Sequence, residues 1–214
     1  MLAILKKPIL WLVLLPAAAA LVWLLGLPNQ PAAQPTLTDV PAYIRRLGAN
    51  RAKKDSLLRH TADSPVQNKA SFAGLPYFQP DPAYRVMARL EPFPEGQTPK
   101  MVVTLTDGTT EVYEKVGHAV FSLANTPCRL LVLRYQKTLT VLFQDETSGR
   151  QTYGGGRYLD LDPAAQTGNE LLLDFNEAYN PYCAYSPGYA CPLPPPENKL
   201  SVAIRAGERY EPTH

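Results

Sequence analysis

From Tyr84 onward, apolar residues recur at every second position. Tyr84, Val86, Ala88 and Leu90 alternate with Arg85, Met87 and Arg89, and Met101, Val103 and Leu105 run into Asp107-Gly108, a strong hairpin-turn dipeptide. Val112, Glu114 and Val116 return, and Ala119, Phe121 and Leu123 follow Gly117. Asn125–Pro127 turns the chain into Arg129–Tyr135, and Gln136-Lys137 turns it again into Thr138–Phe143. Further strands are predicted near Arg157–Asp160, Leu171–Phe175 and Leu200–Arg205. A period of two buries one face of each strand. Short strands at this spacing predict a mainly β fold, an antiparallel β-sandwich or partly open barrel.

Upstream the pattern changes. A helix is predicted over residues 42–60, with Tyr43, Ile44 and Leu47 on one face and Leu57 and Leu58 at its far end. Thr38 or Asp39 can cap it, since either side chain accepts a bond from a first-turn N–H. Arg51 and Asp55 are spaced i,i+4 for an ion pair. Between Tyr43 and His60 stand six basic residues and one acidic residue. They form either a solvated face or a contact with anionic lipid headgroups.

Residues 28–41, PNQPAAQPTLTDVP, hold four prolines and predict a semi-rigid Pro-rich linker. Before it, Lys6 and Lys7 precede an uncharged apolar run from Pro8 to Leu27. A helix of that length spans roughly the 30 Å hydrocarbon core of a bilayer. Residues 1–27 are therefore read as a transmembrane signal-anchor, with membrane contact through residues 8–27. A cleaved signal peptide is the alternative, cut near Ala17–Ala20, but it would leave the apolar LVWLLGLP at the new N-terminus. No Lys or Arg follows the run until Arg45. The positive-inside rule thus places the β domain, residues 42–214, outside the cytoplasm, on the periplasmic or extracellular face of the inner or plasma membrane.

Lys6 and Lys7 account for the formal net charge of +2; without them the basic and acidic residues balance at 19 each. A neutral domain lacks the basic footprint of a nucleic-acid binder, so no nucleic acid is expected. Proline, with 22 residues in 214, is about twice its usual abundance, which favours strands joined by irregular loops. The longest such stretch is Asp174–Lys199, DFNEAYNPYCAYSPGYACPLPPPENK. Its six prolines exclude a helix or an inner strand, and its four tyrosines and two cysteines argue for an ordered loop.

Hydrolytic chemistry has little to stand on. The histidines are His60, His118 and His214, and no GxSxG is present. Cys183 and Cys191 lie eight positions apart without a further CxxC or nearby His, so no metal site is predicted. In an exported domain the pair reads as a disulfide, with two packed thiols as the alternative. Cys128, on an apolar strand, reads as a small buried residue. No cofactor is implied.

Tyr153-Gly154-Gly155-Gly156-Arg157-Tyr158 allows two roles. Arg157 either braces the fold by pairing with Asp145, Asp160 or Asp174, or clamps a ligand anion beside the glycine backbone. Tyr179, Tyr182, Tyr185 and Tyr189 either line a ligand groove or cover a barrel end with their hydroxyls solvated. Asn176, Asn180 and Asn198 are expected to brace turns. In the functional alternative, Asp174, Asn176, Tyr179 and Asn180 converge with Arg157 and Tyr158 on a ligand.

The stretches DETSGRQTYGGGRYLDL (Asp145–Leu161), the loop itself and NKLSVAIRAGER (Asn198–Arg209) together resemble the family known as domain of unknown function 1684. A looser likeness runs through FAGLPYFQPDPAYRV (Phe72–Val86), and a further trace lies in RAKKD (Arg51–Asp55) and Ser64-Pro65. The resemblance implies a shared fold and no particular activity. The whole chain therefore reads as a membrane-anchored envelope β domain that binds a small-molecule or protein partner. The alternative is an enzyme acting on a small anionic or sugar-like ligand at an Arg157/Asp174 patch.

Overall fold

Most strands bury one side of their alternation in a shared main core, while β4 and β5 are buried on both faces. The structure, a computed structural model, describes residues 37–94, 99–162 and 166–211. The expected anchor at 8–27 and most of the Pro-rich linker lie outside the described residues. Among the described residues, no helix is long and apolar enough to cross a membrane.

The strands are β1 (Arg85–Pro92), β2 (Lys100–Thr104), β3 (Thr110–Leu123), β4 (Thr126–Tyr135), β5 (Thr138–Phe143), β6 (Arg157–Leu161), β7 (Gln166–Thr167) and β8 (Glu170–Asp174). They form one antiparallel sheet in the order β6-β5-β4-β3-β1-β8-β7, with β2 paired to β3. The sheet curls into a half-barrel. Val86, Ala88 and Leu90 of β1 face Ala119, Phe121 and Leu123 of β3 in the same core. Leu130 and Val132, then Val141 and Phe143, then Leu159 and Leu161 continue it across β4, β5 and β6. Burying each such side chain contributes about 1.5–3 kcal/mol. Of the two expected architectures, the partly open barrel is the one formed.

β3 is one long strand where two shorter ones were expected around Gly117. Its register against β4 shifts between Lys115 and Gly117, a bulge that bends the strand. A Cβ at Gly117 would stand 2.6 Å from the Glu91 carbonyl oxygen, so no larger residue fits beneath β1. Beyond the bulge the β2–β3 hairpin folds over the outer face of the sheet. There Val103, Tyr113, Leu131, Leu133 and Leu142 make a second, smaller core.

One helix, α1 (Val40–His60), packs on the half-barrel. Asp39 caps it, its carboxylate accepting the Ala42 N–H at 2.7 Å. Tyr43, Leu47 and Leu58 are its buried residues, whereas Ile44 and Leu57 are exposed. The Arg51–Asp55 ion pair expected from spacing does not form. Arg51 instead donates to Phe78 O and stacks on the Tyr77 ring, and Asp55 accepts the Leu75 N–H. The loop after the helix supplies better-fixed partners than a solvated i,i+4 neighbour. The basic face of α1 also docks Arg46 on Glu177 and Lys54 on Glu208.

The strand expected at Leu200–Arg205 is a second correction. Leu200, Val202 and Ile204 enter the core with strand-like alternation, but the segment joins no ladder. Its backbone bonds run to the turn after β5, from Leu200 N–H to Gln144 O at 2.8 Å and from Glu146 N–H to Val202 O at 3.1 Å, and the Ile204 carbonyl turns to a side chain instead of a neighbouring strand. The loop after β8 is ordered, with one-turn 3-10 helices at Phe175–Glu177, Tyr182–Ala184 and Pro196–Asn198.

Candidate functional site

Phe143 ends β5 and Arg157 opens β6 directly across from it. Gly156 before it has φ +95°, and a Cβ there would meet Pro194 Cγ at 2.6 Å and Phe143 O at 2.7 Å. Only glycine turns the chain here, and the turn drives Arg157 inward to 1% exposure. One terminal nitrogen donates to Asp145 Oδ2 at 2.7 Å and to Ile204 O at 2.8 Å. The other donates to Ala206 O at 2.5 Å and Glu208 O at 3.3 Å. The guanidinium also lies 5.3 Å from the centre of the Phe143 ring. Burial lowers its pKa, and the Asp145 charge opposes that shift. Asp145 is held in turn by the Thr147 N–H at 2.6 Å and the Thr147 hydroxyl at 2.5 Å. With all four terminal N–H groups donated inside the fold, Arg157 is a brace and has no terminal donor left for a ligand anion.

Asp174 belongs to a different cluster, so the patch that would join it to Arg157 is not formed. It caps the turn after β8, accepts the Tyr43 hydroxyl at 2.8 Å, and lies 3.7 Å from Arg85 Nε and 3.9 Å from an Arg46 nitrogen. Burial and the Asp174 charge raise the Tyr43 pKa well above the usual phenol value. Asn176 bonds both the N–H and the C=O of Asp81, at 2.9 and 2.8 Å. Asn180 donates its amide to Arg209 O at 2.9 Å and to the Tyr185 hydroxyl at 3.2 Å. Both asparagines brace the loop, whereas Asn198, expected to brace a turn, reaches Leu131 of β4 and Leu142 of β5 instead.

The polar hub absent from the sequence reading is Glu208. It is 1% exposed and accepts Lys54 Nζ at 2.5 Å, the Asn180 N–H at 2.8 Å and the Tyr185 hydroxyl at 2.8 Å. The acidic residue of the RAGER stretch was its only trace. Its partner Lys54 is 154 residues away in the chain, a separation that local pattern does not bridge.

Tyr158, Tyr179, Tyr182 and Tyr189 do come together. With Lys54 and Cys191 they line a groove of about 480 Å³. Tyr158 and Tyr179 pair backbone to backbone, with both N–H···O distances 2.9 Å, where the chain leaving β8 meets the free edge of β6. Their rings meet edge to face with centroids 5.8 Å apart, and the Tyr182 and Tyr189 rings do the same at 5.3 Å. The hydroxyls of Tyr158, Tyr179 and Tyr189 donate to Pro192 O, Asp160 Oδ2 and Asp63 O, at 2.5, 3.0 and 2.7 Å. Each hydroxyl is thus bonded to the protein, the Tyr179 and Tyr189 bonds at exposed positions. Tyr182 is 45% exposed, and Lys54 Nζ lies 4.7 Å from the centre of the Tyr179 ring. Tyr185 turns away to Glu208.

Cys191, on the groove wall, and Cys183 are both free thiols, so the expected disulfide is absent from this structure. The Cys183 N–H donates to Cys191 Sγ at 3.2 Å, holding the sulfur as an acceptor. Burial and the neighbouring Cys183 thiol push Cys191 up to about 12. Cys128 is buried, and His118 pairs with Glu197 at 2.9 Å. Among the described residues, no group of three or more His, Cys, Asp or Glu stands placed to hold a metal ion.

The fold and its braces define a helix-backed antiparallel half-barrel closed by a long aromatic loop. The chain belongs to the family described as Protein of unknown function (DUF1684), whose model matches residues 70–209. It is similar to the solution NMR structure of an uncharacterized protein from Haloarcula marismortui, at 40% identity and a TM-score of 0.65. The likeness covers 81% of this chain and 97% of that one. No curated protein matches.

Proposed function

We propose that this protein is a binding module of the cell envelope, its small ligand seated in the tyrosine groove beside α1. One observation carries the reading. Four tyrosines meet there as two edge-to-face pairs around open space, and three of the rings are pinned by their own hydroxyls. A site of fixed aromatic faces loses little conformational freedom when it is filled, which favours binding. The enzyme reading required Arg157 and Asp174 to face each other across a cleft, and they sit in separate networks. In full-chain thermal-shift screening against a small-metabolite library, a ligand at a hundred times its Kd adds about 2.7 kcal/mol of stability. Tyr182→Ala is expected to remove that shift yet leave the ligand-free melting temperature unchanged, because the ring is already 45% exposed. A hit whose shift survives Tyr182→Ala binds elsewhere and ends this reading.

The module is held on the outer face of the membrane by residues 8–27. The uncharged run and the lysines before it support this placement. The full chain should fractionate with membranes, its C-terminus protected from protease added on the cytoplasmic side. Recovery of mature protein lacking residues 1–20 in the soluble envelope fraction would remove the anchor.

A further inference from the structure

We infer that the ligand of the tyrosine groove is a pyranose saccharide carrying a carboxylate, an inference that rests on the groove being a binding site. What the rings can still offer decides the chemistry. The hydroxyls of Tyr158, Tyr179 and Tyr189 are already donated to Pro192 O, Asp160 and Asp63 O. A proline-rich peptide, the other common occupant of aromatic grooves, is held partly by donors that point at its carbonyls. Three of the four tyrosines here have committed that donor to the groove's own walls. It presents ring faces and edges, which suit the C–H face of a sugar ring, whose hydroxyls point outward to water. The corner made by Tyr182 and Tyr189, with centroids 5.3 Å apart, offers a face and a wall to one ring. The groove of about 480 Å³ falls in the lower part of the roughly 300–1,000 Å³ range of small-ligand sites.

Charge narrows the class. Lys54 is the charged residue among those lining the groove, and it sits over the Tyr179 ring. An ammonium has three donors, and one is taken by Glu208, which lies behind the groove and does not line it. No second acceptor is bonded to this ammonium among the described residues, and a carboxylate is the group that gains most from its remaining donors.

Saturation-transfer NMR on the full chain in deuterated detergent tests the inference with three probes: digalacturonic acid, neutral cellobiose and an octaproline peptide. The acidic disaccharide is expected to take saturation at its ring C–H protons, and Tyr182→Ala should weaken its binding by about tenfold. Cellobiose should bind about fivefold more weakly, and the gap should close in about 1 M salt, where the Debye length is ~3 Å. Salt is preferred to substituting Lys54, because removing Lys54 would strand the buried Glu208 carboxylate. Equal binding of cellobiose and the acid would overturn the carboxylate. Tyr182-dependent saturation of octaproline without saturation of either sugar would overturn the saccharide, yet keep the groove as a binding site. Saturation of all three that ignores Tyr182→Ala would overturn both.

Discussion

Arg157 carries its charge into the core with every terminal N–H donated, three of them to carbonyls of residues 204–208. Removing one partner of a buried pair costs about 3–5 kcal/mol, because the other charge is left uncompensated. Arg157→Ala should therefore lower the urea midpoint by that much stability. Arg157→Lys should recover little, since one ammonium cannot span acceptors spread from Asp145 to Glu208. A midpoint equal to wild type would contradict the brace. Much of this was legible beforehand: three glycines before an arginine mark a sharp turn, and a buried guanidinium needs a carboxylate. The choice among Asp145, Asp160 and Asp174 was not. Each lies at or near a strand end, and it is the β5–β6 register, with Phe143 opposite Arg157, that brings Asp145 within reach. The carbonyl acceptors are invisible in principle, because every residue has one.

At the scale of elements, Asn198 does what a missing length of ladder would do. β4 and β5 pair from Tyr135↔Thr138 to Leu133↔Thr140 and no further. Beyond that point the Asn198 amide enters between them. Its oxygen accepts the Leu131 N–H at 2.6 Å, and its nitrogen donates to Leu131 O at 2.9 Å and Leu142 O at 2.8 Å. Asn198→Ala leaves these buried groups unsatisfied, at roughly 1–3 kcal/mol for each. The expected loss is about 3 kcal/mol, with faster amide exchange at Leu131; exchange as slow as wild type would refute it. The strands themselves could be read from period two, and the helix from its cap and apolar face. Leu200–Arg205 shows where that reading stops. Alternation reports which side chains are buried, but whether a ladder forms depends on a neighbour's free backbone. β7, two residues long, is too short to leave a pattern at all.

For the molecule as a whole, buried phenols set a limit on alkaline stability. Burial raises the pKa of Tyr43, Tyr77, Tyr158 and Tyr185 above 10.0, and nearby carboxylates or thiols add to the shift. Burial pushes Tyr153 to about 12. Above the ordinary phenol pKa, the unfolded chain releases protons that the folded protein retains. Stability is thus fully present below about pH 9 and lost as pH rises through about 10–12. Urea midpoints measured from neutral to strongly alkaline pH should be flat and then fall steeply; a flat curve throughout would show these hydroxyls free to ionise. The neutral charge balance was plain from composition, whereas the depth of the tyrosines was not, since a tyrosine suits a surface as well as a core. The placement of residues 198–209 has one more consequence. They staple β4 to β5, receive Arg157 and hold α1 through Lys54, so elements made earlier depend on a segment made after them. A ribosome or translocation channel that still grips residue 209 withholds the clasp. The chain then stays unlatched until that segment is released.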